Sequence, residues 1–231
     1  MTAGYPTQDP ASSYATLQKC LPTYLLIDVS GSMQPHQAAL NQTLRKLHRA
    51  LADSPRVSEF AHMSIVAFST QPWVVLEMVD MEYVPAMPEV MCDGATNYGP
   101  AFALVRQRID TDLPALRAQG KAVMRPCVFL LTDGAPTDSG WEAAFGALVD
   151  RNWNRRPHVI TYGFGAASEH VLARVATKAA FLADGSAAQD EALAQAINSL
   201  LNTMVASARA EEMQIPTSAP GYRSIPVEYV D

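Results

Sequence analysis

Apolar positions along the chain fall into two kinds of segment. The first kind is short and almost continuously apolar, which is typical of strands covered on both faces of a sheet. The second kind has apolar residues at helical spacing, as at Leu40, Leu44, Leu47 and Leu51, and predicts helices that pack through one stripe. The predicted strands cover residues 23–29, 61–69, 73–79, 126–131, 158–163 and 179–183. The predicted helices cover residues 35–51, 100–117, 141–151, 168–177 and 190–208.

Alternation of strands and helices predicts an α/β, Rossmann-like fold: a doubly wound, mostly parallel six-stranded sheet with helices on both faces. The turn at residues 70–72 is too short for a parallel crossover. The second and third strands should therefore form an antiparallel hairpin, with the third strand at an edge and the order 3-2-1-4-5-6. Pro35 can open the first helix, whereas Pro114 should kink its helix or end it early.

Composition divides the chain into three parts. Residues 1–18 are rich in Ser, Thr and Pro and are expected to form a poorly ordered, flexible leader. Residues 19–210 are expected to form one α/β domain. Residues 211–231 form a Pro-containing extended tail with several apolar residues. Three outcomes stay open for this tail: disorder, a return onto the domain, or docking into a partner as an extended segment.

Length, charge and cysteine usage narrow the class of protein. The 231 residues are 48% hydrophobic, which suits one large domain with a substantial core. The net charge of -6, with Lys and Arg scattered, argues against a nucleic-acid or anionic-membrane surface. Three cysteines without a CxxC pair argue against a disulfide framework or a zinc knuckle. No secretory or membrane-spanning pattern is found, so a cytoplasmic location is expected.

Candidate chemistry lies at predicted strand ends. Asp28, Ser30 and Ser32 follow the first strand in one turn, and their hard oxygens suit Mg²⁺ or Mn²⁺ better than zinc or copper. Asp133 follows the fourth strand, which neighbours the first across the switch point of the sheet, where ligands bind. Two carboxylates this close repel each other unless a cation lies between them. Taken singly, each segment also fits an ordinary turn or helix cap, so the cation site is inferred from their conjunction.

Asp28-x-Ser30-x-Ser32, then Thr96 in a loop, then Asp133 after an apolar strand resemble the metal-ion-dependent adhesion site of von Willebrand factor A domains. The resemblance covers roughly residues 23–208. It implies that Ser30 and Ser32 bind the cation directly, and that Thr96, Asp28 and Asp133 bind it directly or through water. It also implies a coordination position left open for an Asp or Glu of a protein partner.

Two longer stretches resemble a narrower group. Tyr-Leu-Leu-Ile-Asp at residues 24–28 and Leu-Thr-Asp-Gly-Ala-Pro-Thr-Asp at residues 131–138 are similar to the TerY-type proteins of bacterial tellurium-resistance gene clusters. This resemblance implies a metal-dependent interaction module in a bacterial stress-response or phospho-signalling system. The partners that it implies are a metal-dependent Ser/Thr protein phosphatase and a protein kinase.

The alternative function is a metal-dependent phosphotransferase or phosphatase that uses Asp28 as its nucleophile. A haloacid-dehalogenase-like enzyme would need a second Asp where this chain has Ser30, and a hydroxyl is a poor general acid at neutral pH. The chain also lacks the Gly-x-Ser-x-Gly elbow of serine hydrolases. Residues 163–168 follow a strand but lack the third glycine of a phosphate loop, which indicates a tight turn. The sequence therefore favours a binding module over an enzyme.

Overall fold

The computed structural model describes residues 17–229. The predicted leader, apart from residues 17 and 18, lies outside the described residues, as do residues 230 and 231 at the end of the tail. The strands are β1 (Lys19–Cys20), β2 (Thr23–Asp28), β3 (Met63–Phe68), β4 (Pro72–Val79), β5 (Ala122–Val123), β6 (Cys127–Thr132), β7 (His158–Gly163), β8 (Ala179–Ala183) and β9 (Tyr222–Ile225). The α-helices are α1 (Gln37–Ala52), α2 (Pro55–Phe60), α3 (Tyr98–Ala118), α4 (Trp141–Leu148), α5 (Glu169–Val175) and α6 (Gln189–Ala210).

The described strands form a seven-stranded sheet in the order β4-β3-β2-β6-β7-β8-β9, with β1 and β5 paired separately. The five central strands are parallel, and β4 is antiparallel to β3 at one edge. The predicted α/β class is confirmed, and so is the antiparallel hairpin. The order of the six predicted strands, which correspond to β2, β3, β4, β6, β7 and β8, is also confirmed. The predicted count of six is wrong, because β9 adds a seventh strand antiparallel to β8 at the other edge.

Side chains on alternate positions of the central strands enter two hydrophobic layers. In β2, Leu25 and Ile27 pack on the side of α1 and α6, whereas Tyr24 and Leu26 pack on the side of α3 and α4. The central strands β2 and β6 are buried at every position. This explains why their sequences are continuously apolar rather than alternating.

The structure tests the expected start of the first helix at Pro35 and the expected early end of a helix at Pro114. Pro35 lies inside a 3-10 helix, Gly31–His36, so α1 begins at Gln37 rather than at Pro35. Helix α3 does not end at Pro114 but continues to Ala118. A proline has no N–H for the carbonyl four residues earlier, and here the Asp110 carbonyl accepts a hydrogen bond from Arg155 Nη1 at 3.3 Å instead. Within residues 17–229, no helix is long and apolar enough to cross a membrane.

The tail lies back on the domain, which is one of the three outcomes left open by the sequence. Its strand β9 pairs with β8, and the Tyr222 hydroxyl donates to the Ala192 carbonyl at 2.8 Å. Ile225 is buried against Leu172 and Ala180. Further along, the Tyr229 hydroxyl donates to the Val149 carbonyl at 3.1 Å. The tail up to residue 229 is therefore part of the folded unit.

The docking of β9 predicts a stability effect far from the site. Ile225→Ala is expected to lower the free energy of unfolding by about 2 kcal/mol or more, because a buried aliphatic side chain is lost. The exposed neighbour Ser224 offers a control, since Ser224→Ala should change the free energy of unfolding by less than about 0.5 kcal/mol. Urea unfolding of both variants provides the measurement. Equal midpoints for the two variants would contradict the docking of β9.

Candidate functional site

The carboxyl ends of β2 and β6 bring two aspartates to one edge of the sheet. The register pairs Ile27 with Leu131, so the residues that follow, Asp28 and Thr132, lie side by side. Asp133 comes next and begins the loop after β6. Asp28 and Asp133 are both buried, at 0% and 4% exposure. The adjacency predicted for the two strand ends is confirmed.

A chain of short contacts joins four of the five predicted site residues. Asp28 Oδ1 accepts from the Ser30 N–H at 2.9 Å. The Ser30 and Ser32 hydroxyl oxygens lie 3.1 Å apart, and the Ser32 hydroxyl donates to Asp133 Oδ1 at 2.8 Å. Ser30 is buried, whereas Ser32 is exposed. The turn after β2 therefore directs its oxygens towards the aspartate that follows β6.

Thr96 reaches the same place from the loop before α3. A Cβ built on Gly134, the residue after Asp133, would lie 3.7 Å from Thr96 Oγ1. The Thr96 backbone is fixed by Thr137, whose hydroxyl accepts from the Thr96 N–H at 3.0 Å and whose N–H donates to the Thr96 carbonyl at 2.9 Å. Thr96 as a residue is only 6% exposed, and none of the side-chain hydrogen bonds among residues 17–229 involves its hydroxyl. The hydroxyl is not among the fully buried polar atoms that lack a partner in this part of the chain, so it keeps access to solvent and its oxygen is available to a ligand.

Backbone hydrogen bonds fasten the Thr96 loop to the turn after β2. The Asp93 N–H donates to the Val29 carbonyl and the Gly31 N–H donates to the Gly94 carbonyl, both at 2.9 Å. Gly94 has φ +84°, and a Cβ there would lie 2.5 Å from Thr70 Oγ1. Only glycine fits this position without strain. The rim of the site at Asp93 is thus held by several hydrogen bonds rather than being a free loop.

Thr132 and Asp138 support the site, although the sequence pattern predicted no role for either residue. The Thr132 hydroxyl donates to Asp28 Oδ2 at 2.6 Å and accepts from the Gly134 N–H at 3.2 Å. The Asp138 carboxylate accepts from the N–H groups of Tyr98 and Gly99, at 2.8 and 2.9 Å, and so caps α3. The sequence feature that could have indicated a role for Thr132 is its position immediately before Asp133 at a strand end. Asp138 had no local signal, because the helix that it caps begins 40 residues earlier in the sequence.

Burial dominates the electrostatics of the two aspartates. It raises the pKa of Asp28 to about 6, against the hydrogen bonds from Ser30 and Thr132, which lower it. The charge of Asp133 raises the pKa of Asp28 further. Burial also raises the pKa of Asp133, and the hydrogen bond from Ser32 opposes this effect. In the protein alone, the site therefore disfavours the two negative charges that its residues carry at neutral pH.

Two features beside the site, His36 and the turn after β7, have structural roles. His36 Nδ1 lies 2.6 Å from Asp190 Oδ1, so this histidine connects the 3-10 helix after β2 to the start of α6. The turn after β7 is tight, as predicted. Its Phe164 N–H donates to the Thr132 carbonyl at 3.1 Å and its Ala166 N–H to the Asp133 carbonyl at 2.8 Å. This turn thus holds the backbone that carries Asp133.

The donor set fits a hard cation and differs from a site of nitrogen and sulfur ligands. Within residues 17–229, no group of three or more His, Cys, Asp or Glu side chains is placed to hold a metal. The oxygens assembled here come from two carboxylates and three hydroxyls, at Asp28, Asp133, Ser30, Ser32 and Thr96. Oxygen-only donors suit Mg²⁺ or Mn²⁺. The two adjacent carboxylates fit such a cation, and so does the Thr96 hydroxyl, which has no hydrogen-bond partner among the described residues.

Comparisons with known proteins agree with this architecture. The sequence profile of the von Willebrand factor type A domain matches residues 23–135, just under half of the chain. A search of curated protein sequences found no significant match.

Several solved structures share the fold at low sequence identity. Proximal thread matrix protein 1 from the mussel byssus is 19% identical, with a TM-score of 0.59 over 82% of this chain and 49% of that protein. A von Willebrand factor type A protein from Catenulispora acidiphila is 17% identical, with a TM-score of 0.55 over 80% of this chain and 43% of that one. The pilus adhesin SpaC from Lactobacillus rhamnosus GG is 12% identical, with a TM-score of 0.61 over 81% and 30%. The chain thus spans less than half the length of these proteins.

The buried charge of Asp28 predicts how stability depends on pH in the presence of a chelator. In the unfolded chain the pKa of this aspartate is about 3.9, and in the folded protein it is about 6. The folded state therefore binds more protons within this window, and the contribution of Asp28 to stability falls as the pH rises through it. At neutral pH the cost is about 3 kcal/mol.

Asp28→Asn should remove most of that cost while keeping the side-chain shape, whereas alanine would leave a cavity at this fully buried position. In EDTA at pH 7 we expect the free energy of unfolding to rise by about 1 to 3 kcal/mol. The difference between Asp28→Asn and the parent protein should grow from pH 4 to pH 6 and then level off. Urea unfolding across this pH range measures the difference in the free energy of unfolding. A difference that is constant with pH would contradict the raised pKa of Asp28.

Proposed function

We propose that this domain is a divalent-cation-dependent protein-interaction module. The observation that carries the proposal is the convergence of Asp28, Ser30, Ser32 and Asp133 beside Thr96, whose hydroxyl makes no hydrogen bond within residues 17–229. Mg²⁺ or Mn²⁺ is the proposed cation, and it would supply the positive charge that attracts a carboxylate of the partner protein. The mussel matrix protein supports this assignment, since one of its structures is described as having a zinc-occupied metal-ion-dependent adhesion site.

Each residue has a separate part in this proposal. Asp28 provides a buried negative charge whose orientation is fixed by Ser30 and Thr132. Ser30 and Ser32 provide neutral oxygens from the same turn. Asp133 provides the second negative charge from the neighbouring strand end. Thr96 provides the free hydroxyl, and its loop is held in place by Thr137.

The proposal also includes a biological setting and partner proteins. The resemblance of residues 24–28 and 131–138 to TerY-type proteins supports a role in a cytoplasmic bacterial stress-response or phospho-signalling system. On the same basis, the proposed partners include a metal-dependent Ser/Thr protein phosphatase and a protein kinase. The neighbours named above as a thread matrix protein and a pilus adhesin support an interaction role in general.

The environment of Asp28 supports a ligand role over a nucleophilic one. Its side chain is fully buried, and each carboxylate oxygen accepts a hydrogen bond from the protein. A nucleophile has to contact the reacting atom of its substrate directly, which a fully buried carboxylate cannot do without rearrangement, whereas a carboxylate can bind a cation through an intervening water molecule. The neighbouring Ser30 also offers no general acid for a phosphotransferase. The domain is therefore proposed to bind rather than to catalyse.

Cation binding can be tested on the Thr96 hydroxyl with a conservative control. Thr96→Val keeps the size of the side chain but removes the oxygen, and should weaken Mg²⁺ and Mn²⁺ binding by about tenfold or more. Thr96→Ser keeps the oxygen and should bind within about threefold of the parent protein. Asp28→Asn should abolish binding, whereas Asp53→Asn, an exposed change at the other end of α1, should not affect it. Calorimetric titration measures all four, and equal affinities for the Val and Ser variants would contradict the Thr96 role.

The alternative enzyme function makes an opposite prediction. The purified protein with Mg²⁺ or Mn²⁺ should release no phosphate above background from p-nitrophenyl phosphate or a phosphoserine peptide, because Asp28 is inaccessible. Phosphate release is measured colorimetrically, with Asp28→Asn as the comparison. Turnover that is present in the parent protein and absent in Asp28→Asn would favour the phosphotransferase instead.

A further inference from the structure

Within residues 17–229, the loops around the candidate cation site contain no Lys or Arg. We define the site face as the loops after β2, β3, β6, β7 and β8 together with the loop that carries Thr96. These loops are residues 29–36, 69–71, 133–140, 164–168, 184–188 and 91–97. The chain has 17 Lys and Arg residues, and none of them lies in these loops. Arg223 lies at the same end of the sheet, but it is on the outermost strand and pairs with Glu169.

Acidic groups occupy the same face, and Asp93 is the exposed one at the rim of the site. Its backbone N–H donates to the Val29 carbonyl at 2.9 Å, which places it beside the turn that carries Ser30 and Ser32. Its carboxylate accepts only from the neighbouring Gly94 N–H, at 2.7 Å, and no Lys or Arg among residues 17–229 pairs with it. The negative charge of Asp93 is therefore exposed and uncompensated.

A second observation, independent of this charge, indicates where a ligand meets the face. Thr96 is nearly buried, and its hydroxyl has no partner within the described chain. Thr96 and Asp93 lie three residues apart in one loop, which is fastened to the turn after β2 on one side and to Thr137 on the other. The free hydroxyl and the exposed carboxylate are thus held on the same short segment.

We propose that the partner segment carries an Asp or Glu flanked by Lys or Arg, with the carboxylate directed to the cation site and the basic side chain facing Asp93. This inference rests on the proposed function and specifies its partner. A single carboxylate can be attracted by one cation, but a further acidic residue in the segment would face Asp93 with no Lys or Arg nearby to offset it. A basic neighbour converts that repulsion into attraction and fixes the direction in which the segment lies. The face should therefore select mixed-charge segments and reject purely acidic ones.

Selection from random peptides displayed on phage tests this inference and requires no candidate partner protein. The full chain is immobilised at a Mg²⁺ concentration that saturates each variant, and bound phage are eluted with EDTA. With the parent protein we expect enrichment of Asp or Glu that has Lys or Arg within about two positions. Asp93→Asn keeps the oxygen that accepts from Gly94 and should lose the preference for Lys and Arg. Asp53→Asn is the matched control and should retain it.

The affinity of an enriched peptide provides a second readout. By fluorescence anisotropy at low ionic strength, Asp93→Asn should weaken binding by about three- to fivefold, as expected for one exposed ion pair. The loss should shrink at high salt, because exposed charges are screened. Asp53→Asn should leave the affinity unchanged at both salt concentrations.

The outcomes separate this inference from the function on which it rests. Enrichment of acidic peptides without basic neighbours, or a basic preference that survives Asp93→Asn, would overturn the inference and leave the cation-dependent function intact. Calorimetric Mg²⁺ binding without any Mg²⁺-dependent peptide would also overturn it. Absence of both Mg²⁺ binding and Mg²⁺-dependent selection would instead overturn the proposed function itself.

Discussion

Burial of the Asp28 carboxylate at the end of β2 is the constraint on which the site depends. An isolated buried carboxylate is costly, and a protein compensates for it with hydrogen bonds or an opposite charge. Here the Ser30 N–H and the Thr132 hydroxyl provide the hydrogen bonds, one to each oxygen. They do not fully offset burial, since the pKa of Asp28 is still raised, and Asp133 adds a second negative charge. The arrangement is destabilising for the protein alone and favourable for a site that receives a cation.

The loop after β6 has two functions at this site, which explains its short and polar sequence. It begins with Asp133, which accepts from Ser32. A few residues later, Thr137 fixes the Thr96 backbone and Asp138 caps α3. One loop therefore contributes a candidate ligand and also positions another. A change in this loop would displace the oxygens that it carries and the Thr96 hydroxyl together.

The sheet makes this assembly possible because its central strands β2 and β6 are buried and adjacent. Hydrophobic layers on both faces fix the central strands β2 and β6, whose ends carry the aspartates. At one edge β4 turns back antiparallel, and at the other the tail returns as β9. The stability of these layers supports the cost of the buried charges at the site. The loops at the carboxyl edge are therefore free to carry polar groups and an uncompensated acidic rim.

The sequence by itself determined the features that depend on neighbouring residues. Continuous apolar runs identified the central strands, the leucine stripe identified α1, and the short turn at residues 70–72 identified the antiparallel edge. Strand order then placed Asp28 beside the end of β6, because parallel strands end at the same edge of a sheet. Composition could not decide the course of the tail, since β9 is stabilised by contacts with β8 and α6 rather than by its own pattern. Pro114 was similarly ambiguous, because Arg155, distant in sequence, satisfies the carbonyl that it leaves free.

At the site, the sequence identified the residue types, and the tertiary structure decided their environment. It could not assign the roles of Thr132 and Asp138, because each acts through a hydrogen bond to a residue far along the chain. It could not show that Asp28 is fully buried, or that the Thr96 hydroxyl makes no hydrogen bond within the described part of the chain. Both properties follow from the close approach of loops that are separated by 40 residues or more. Local sequence specifies which oxygens are present. Only long-range packing specifies how deeply they are buried, how close they lie to one another and which of them accept hydrogen bonds.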